Sequence, residues 1–358
     1  MLTIPQVPSK SPYYIMAAPY TRTSAGTRTL HLLAYFLRQL GYEAYICSER
    51  TNHYLETPYL SQAIADIHFT YALTPITIYP ETIPGNPLSS PLVIRYLGNF
   101  SGLLGGPPCF HPSDRMLYYS KNLIPRGETG DVLYIPIVNT SIFYPPPPDQ
   151  PRTGSCFYGG KYKYYHRGEY QDVTKDSFEI TRDVKDSPTH WQIADLFRKS
   201  EVFYCYENSS LSLEAMLCGC PVILLPNPYF TKIIAEDELS RNGMAWGDDP
   251  AEIERAKKTV HLVWDRYQQT LIEFKTNLIA FADKTQQLAK DTPYRQRVTV
   301  VMTPPARYHQ WERAIRILIN MIKSKDRKTY LREFLSITKE KKLKGMKQYL
   351  KSIEFCID

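Results

Sequence analysis

Two α/β domains in series, each on a doubly wound parallel sheet, are what this sequence predicts, and three observations predict them. The length of 358 residues exceeds what one hydrophobic core usually organises. A succession of strand, small-residue loop, helix, glycine and strand opens the first half, and a similar succession restarts in the second. Between the halves lies a run of four prolines, Pro145 to Pro148. Such a run is stiff and extended and can join neither a helix nor a central strand.

The elements of the first half follow in order. YYIMAAP, Tyr13 to Pro19, reads as a short buried strand. The loop Tyr20 to Thr27 follows and contains Ser24, Ala25 and Gly26. The next stretch carries Leu30, Leu33, Ala34, Leu37 and Leu40 at spacings of three and four, which predicts a helix with one apolar face. Gly41 ends it as a left-handed cap, and Tyr42 to Cys47 is the next strand. Further strands are expected over 76–79, 92–94, 116–119 and 132–135. Between them, YPETIPGNPLSSP and NFSGLLGGPPCFHPSD are long loops of the kind that carry binding groups at strand ends.

In the second half SCFYGG, from Ser155, is a strand running into glycines, and SFEITR, from Ser177, is a second strand. Trp191 to Lys199 predicts a helix with Ile193, Leu196 and Phe197 inward, and Val202 to Tyr206 a third strand. A helix over Leu211 to Cys218 is stopped by Gly219, and PVILLP, Pro221 to Pro226, is a fully buried strand. Two such domains joined at the prolines leave a cleft between them.

Charge and cysteine content narrow the function classes. The net charge of +7 is concentrated. Lys323 to Lys351 holds eleven Lys/Arg against three acids, a local charge of +8, so the rest of the chain is near neutral. A nucleic-acid track is therefore not expected, whereas the basic tail, interleaved with Leu331, Phe334, Leu335, Leu343, Met346 and Leu350, suits an anionic membrane surface. It suits equally a solvated helix with one face packed on the first domain. No stretch nears the roughly 20 apolar residues that span a bilayer, and the proline-interrupted start does not read as a signal peptide. A cytoplasmic protein, peripheral at the inner face of the plasma membrane, is the expectation. The seven cysteines fall at scattered positions and predict small buried apolar residues rather than a disulfide framework or a zinc site.

The segment that carries most chemistry is YENSSLSLEAMLCGCPVILLP, Tyr206 to Pro226. A strand ends in the polar turn Glu207-Asn208-Ser209-Ser210 and a helix begins at once. Unpaired amides and a partial positive charge at a helix start suit a diphosphate. The serine hydroxyls add donors, and Glu214, about one turn in, can accept from both hydroxyls of a ribose. Lys161, after the glycines of the second domain's first strand, and Arg182, ending the next strand, are cations on the same sheet edge, able to face phosphate groups. Glu81 follows a strand and is the first candidate for a general base; otherwise it is a loop carboxylate paired with Arg95. His111 and Asp114 are further base candidates, and His31 reads as structural. A metal-dependent alternative needs a D-x-D-like pair next to a strand; Asp248-Asp249 is the one adjacent aspartate pair, and no metal or other cofactor is expected.

With these residues in view, the chain resembles GT-B glycosyltransferases with a family 4-like donor domain. Their donor domains carry a run like E-x-F-G-x-x-x-L-E-A-M-A-C-G-x-P-V-V, and EAMLCGCPVI from Glu214 is similar to its second half. Glu207 departs from the pattern, with six rather than seven residues between it and Glu214, so Asn208 to Ser210 compete for its place. SAGTRTLHLLAYFLRQLGYEAYIC, with Arg28 and His31, resembles the first β-α-β unit of such enzymes. IPIVNTSIFYP resembles their interdomain hinge, and NGMAWGDDPAEIERA the stretch after the donor site. YPETIPGNPLSSPLVIRYLGNFSGLLGG is similar to rhamnosyltransferase-like enzymes of bacterial surface-polysaccharide (O-antigen) synthesis.

The resemblance implies a GT-B fold with residues 1–144 as acceptor-side domain and 145–304 as nucleotide-sugar donor domain. Residues 305–358 would be C-terminal helices returning to the first domain. It implies donor contacts from Gly26, Lys161, Arg182, Tyr206, Glu207, Asn208, Ser209, Ser210 and Glu214, and acceptor-side residues Asn86, Arg95 and Asn99. The implied activity is metal-independent transfer of a sugar from a nucleoside diphosphate to a hydroxyl of a growing polysaccharide or lipid-linked glycan. A sugar-nucleotide 2-epimerase, or a non-catalytic sugar-nucleotide-binding partner in a polysaccharide assembly complex, would use the same donor site.

Overall fold

A computed structural model describes residues 9–48, 51–164, 166–182 and 186–302. The first domain runs β1 (Tyr13–Met16), α1 (Ala25–Gln39), β2 (Ala44–Cys47), α2 (Gln62–Thr70), β3 (Ile76–Pro80), β4 (Leu92–Leu97), β5 (Arg115–Tyr118) and β6 (Asp131–Val132). Its strands form one parallel sheet in the order β2-β1-β3-β4-β5-β6. All four residues of β1 are buried, Tyr13 and Ile15 in the core on one face of the sheet, Tyr14 and Met16 in the core on the other. A strand covered on both faces needs a continuous apolar run, and that is what this segment supplies. Ser24 caps α1 by accepting from the Thr27 amide, while Leu30, Leu33, Ala34 and Leu37 are buried along it. Gly41 turns the chain out of the helix at φ 79°, a left-handed conformation open to glycine.

The second domain runs β7 (Ser155–Tyr158), α3 (Gly160–Tyr164), β8 (Phe178–Glu179), α4 (His190–Lys199), β9 (Val202–Cys205), α5 (Ser210–Leu217), β10 (Val222–Leu224), α6 (Glu236–Leu239) and β11 (Met244–Trp246). Its parallel sheet has the order β11-β10-β9-β7-β8. Thr189 and Gln192 form a capping box at the start of α4. Asp249 caps α7 (Pro250–Thr259), which is the structural work of the Asp248-Asp249 segment. Together the two sheets make the double α/β architecture of the GT-B type.

The domain boundaries differ from those expected. Leu133 and Ile135 lie in the first core, but Tyr134, Val138 and Phe143 already belong to the second. The crossing therefore precedes the four prolines, which lie against the second domain: a Cβ on Gly219 would meet Pro146 at 3.6 Å. Burial of Val138 and Phe143 fixes the chain before proline stiffness can act.

The return also comes early. Helix α8 (Val263–Lys290) buries Val263 and Tyr267 in the second core and Phe274, Leu278 and Phe281 in the first. The chain thus re-enters the first domain inside α8, not beyond residue 304, and Tyr294, Val298 and Val300 continue along that domain's other face. The amphipathic tail from Lys323 lies outside the described residues. Among the described residues no helix is long and apolar enough to cross a membrane.

Cys47, Cys156, Cys205, Cys218 and Cys220 are buried free thiols, as expected. Cys109 is half-buried, and Cys356 lies outside the described residues.

Candidate functional site at the interdomain cleft

Parallel sheets gather their loops at the carboxyl ends of the strands, and here those ends meet across the cleft. On the first domain's side Glu81 follows β3 and is 6% exposed. Its Oε2 accepts from the Gly98 amide at 3.1 Å, just beyond β4. Burial pushes its carboxyl up to about 7, against smaller downward pulls from the Gly98 amide and from Lys161 across the cleft. A carboxyl held there is poised to take a proton near neutral pH.

Arg95 is not its partner, and neither does it face the cleft. It is 1% exposed and donates to Asp114 Oδ2 at 2.7 Å, to Ile83 O at 2.8 Å and to Gly85 O. Its guanidinium lies over the Tyr79 and Phe110 rings. Arg95 and Asp114 thus clamp the loop that follows Glu81, and Asp114 is committed to that ion pair. Asn86 is part of the same scaffold: it accepts from Tyr79 OH and Ser90 N and donates to Ser90 O. The acceptor-side expectation is not met in this structure: Arg95 has its guanidinium donors engaged by Asp114, Ile83 O and Gly85 O, and Asn86 has its polar atoms engaged by the loop. Asn99 is placed differently, on the cleft wall with Leu103 and Leu104. His31 is fully buried beside the Tyr20 ring and bonds Ala18 O, a structural placement.

On the opposite wall Glu207 bridges back to α3, accepting from the Lys161 amide at 2.6 Å and from Lys161 Nζ at 3.2 Å. Gly160 permits this approach. Its φ is +49°, and a Cβ there would sit 2.7 Å from the Glu207 carboxyl carbon. Asn208 donates to Lys232 O and accepts from Ile234 N, both at 2.9 Å, which holds the loop after β10 against the turn after β9. Tyr206 is fully buried; its hydroxyl accepts from the Gln171 amide at 2.7 Å and its ring stacks on Tyr162. The expected donor contact of the Tyr206 side chain is therefore replaced by support of the 170–174 loop. Asn99, Leu104, Lys161, Glu207, Asn208 and Tyr229 line one pocket where the two walls meet.

Beside this pocket α5 begins. Ser209 caps it by accepting from the Leu211 amide, and Ser210 Oγ accepts from Arg28 Nη2 at 2.8 Å. Glu214 is fully buried, with Oε1 3.0 Å from Arg28 and Oε2 3.3 Å from Arg182. Burial alone would raise its pKa, but Arg28, then Arg182 and His190, outweigh that and hold it below the ordinary value. Both carboxylate oxygens thus face arginines rather than open solvent. Arg182 also donates to Thr23 O at 2.8 Å, in the loop before α1. Gly26 lies in the first turn of α1 with open space around it.

Arg28 and His190 were not assigned to the site from the sequence. Arg28 carried a signal, its place on the helix after the small-residue loop of the first unit. His190 carried none, since only folding brings the start of α4 beside Glu214.

No protein-family model matches the sequence, and no curated protein matches it. Among solved structures the chain is similar to the glycosyltransferase SnogD from Streptomyces nogalater, at 12% identity and TM-score 0.42 over 76% of this chain and 100% of that one. It is similar to WaaG, a glycosyltransferase involved in lipopolysaccharide biosynthesis, at 10% identity and TM-score 0.42 over 76% of this chain and 95% of that one. Spinosyn rhamnosyltransferase SpnG complexed with thymidine diphosphate aligns at 13% identity and TM-score 0.38 over 79% and 97%. Each is a likeness at low identity.

Proposed function

We propose that this protein transfers a sugar from a nucleoside diphosphate to a hydroxyl of a growing surface polysaccharide or lipid-linked glycan, without a metal ion. The observation that carries the reading is that two unlike sites flank one pocket, lined by Asn99 and Leu104 from the first domain and by Lys161, Glu207 and Asn208 from the second. One is the Glu81 carboxyl, buried and raised to about 7. The other is the start of α5 with Arg182 and Glu214. The first suits abstraction of a proton from a hydroxyl, and the second suits a ribose linked to a diphosphate.

In this reading the donor lies along the second domain. Glu214 accepts from the ribose hydroxyls, and Arg182, Lys161 and the α5 amides face the diphosphate. The acceptor lies against Asn99, Leu103 and Leu104. Its hydroxyl oxygen forms a bond to the anomeric carbon while Glu81 takes the hydroxyl proton. The bond from that carbon to the diphosphate oxygen breaks, and its electron pair leaves on the diphosphate, where the cations stabilise it. A single displacement of this kind inverts the anomeric configuration.

A thermal-shift series with UDP, dTDP, GDP, ADP and CMP tests the donor site on the wild type and on Glu214→Ala. One nucleotide should raise the melting temperature of the wild type and not of the variant, since ligand at about a hundred times its Kd stabilises by ~2.7 kcal/mol. Absence of any shift up to millimolar nucleotide would discard the donor-site reading.

A further inference from the structure

The ion pairs around Glu214 do more than fill a cavity, because they join the domains in both directions. Arg28, from α1 of the first domain, reaches Ser210 and Glu214 of the second at 2.8 and 3.0 Å. Arg182, from the second domain, reaches Thr23 O of the first at 2.8 Å while also holding Glu214 at 3.3 Å. The side chains are 8%, 0% and 5% exposed for Arg28, Glu214 and Arg182. Glu214 is therefore closed off by a residue of the opposite domain, and a ribose cannot reach it while Arg28 stays in place.

The same cluster is built to release. The Nε atoms of both Arg28 and Arg182 are buried with no hydrogen-bond partner among the described residues, as is Nε2 of the adjacent His190. Buried donors left unpaired cost stability, and a buried ion pair roughly breaks even against its desolvation. The contact thus holds the domains together without making their separation prohibitive. We propose that Arg28, Glu214 and Arg182 form an interdomain latch that shuts the nucleotide site in the empty protein and opens when the domains part. The proposal rests on the reading of Glu214 as the ribose ligand only for its effect on nucleotide; the latch itself rests on the contacts.

A closed state that excludes ligand lowers apparent affinity by the fraction of molecules that are open. Breaking the latch should raise both openness and affinity. The test compares wild type, Arg28→Met and Arg28→Lys by small-angle X-ray scattering without ligand and by calorimetric titration with UDP, dTDP, GDP, ADP and CMP. Arg22→Ala serves as control, since Arg22 also crosses to the second domain, at Pro188 O, but outside the cluster.

Arg28→Met is expected to enlarge the radius of gyration and tighten nucleotide binding about tenfold, a coupling of ~1.4 kcal/mol. Arg28→Lys should fall between, and Arg22→Ala should match the wild type. If Arg28→Met loses its cooperative melt, Arg28→Lys carries the same two readouts. Unchanged scattering and affinity would overturn the latch. Weaker binding in Arg28→Met would overturn it too, by making Arg28 a ligand of the nucleotide. Enlargement with no nucleotide bound by any of the proteins would uphold the latch and sink the donor-site reading instead.

Discussion

A carboxyl with a pKa of about 7 leaves two separate signatures, one in catalysis and one in stability, and Glu81 should show both. As the proposed general base Glu81 would act in its ionised form, so kcat/KM should fall as pH drops through about 7 and flatten above it. Glu81→Gln should lower kcat by roughly a hundred- to ten-thousandfold, the usual range for a lost general base, with nucleotide affinity preserved. Stability runs the other way. Burial raises the folded-state value from an ordinary 4.5, so the stability Glu81 gives is fully present at acid pH and lost as pH rises through about 7. Between about pH 5 and pH 9, Glu81→Gln should therefore gain on the order of 3 kcal/mol relative to the wild type, read from denaturant curves at each pH. A variant that loses activity without this gain would place Glu81 in an ionised, solvated setting and remove it as the base.

At the scale of elements, helix α8 ties the two domains, and its ends answer to different cores. Phe274 packs against Phe36 of α1 at a ring separation of 5.1 Å and is 5% exposed. Phe274→Ala should cost roughly 3–5 kcal/mol of first-domain stability, the range for a buried Phe lost from a core. Differential scanning calorimetry should show the loss in the lower-melting transition or in a broadened single one; an unchanged scan would mean that α8 does not anchor the return.

This helix also bears on what the sequence made legible. Its buried positions, Val263, Tyr267, Thr270, Phe274, Leu278 and Phe281, stand three and four apart, a helical spacing that the sequence reading did not pick out. Which residue changes domain was not readable, because Tyr267 and Phe274 look alike in a pattern and differ only in what surrounds them. The strands β1, β2, β3, β9 and β10 were plain from short apolar runs between polar turns, and α1 and α5 from their caps and spacing. The proline run misled, since stiffness marks a place where a linker can lie but burial of Val138 and Phe143 decides where it does. The candidate site was legible where it depends on local order, as at the polar turn that runs straight into α5, although Ser209, expected as a donor to the ligand, caps that helix. Roles set by distant partners were hidden. Arg95 was expected in the cleft and is buried against Asp114, and Glu214 was expected open and is held by Arg28 from 186 positions away in sequence.

Across the whole molecule, the placement of charge bears on the need for a metal. A departing diphosphate must be stabilised where its charge develops, by a divalent cation or by fixed protein donors. Here Arg182 stands beside Glu214 on α5, and Lys161 lines the pocket, bound to Glu207. In the proposed donor complex a ribose on Glu214 would release Arg182 from part of its ion pair and free its donors for phosphate oxygens. A guanidinium offers two parallel N–H groups to such oxygens and needs no counterion exchange with solvent. Activity should therefore persist in excess EDTA, with kcat within about twofold of the untreated enzyme, whereas Arg182→Ala should lower it by two to three orders of magnitude, roughly the effect of losing one preorganised donor to a developing anion. Lys161→Ala should have a smaller effect, because its ammonium is half exposed and shared with Glu207. The two results separate the alternatives cleanly. A protein silenced by EDTA and revived by magnesium, with Arg182→Ala near wild-type rate, would assign the leaving group to a metal and leave Arg182 only its part in the latch.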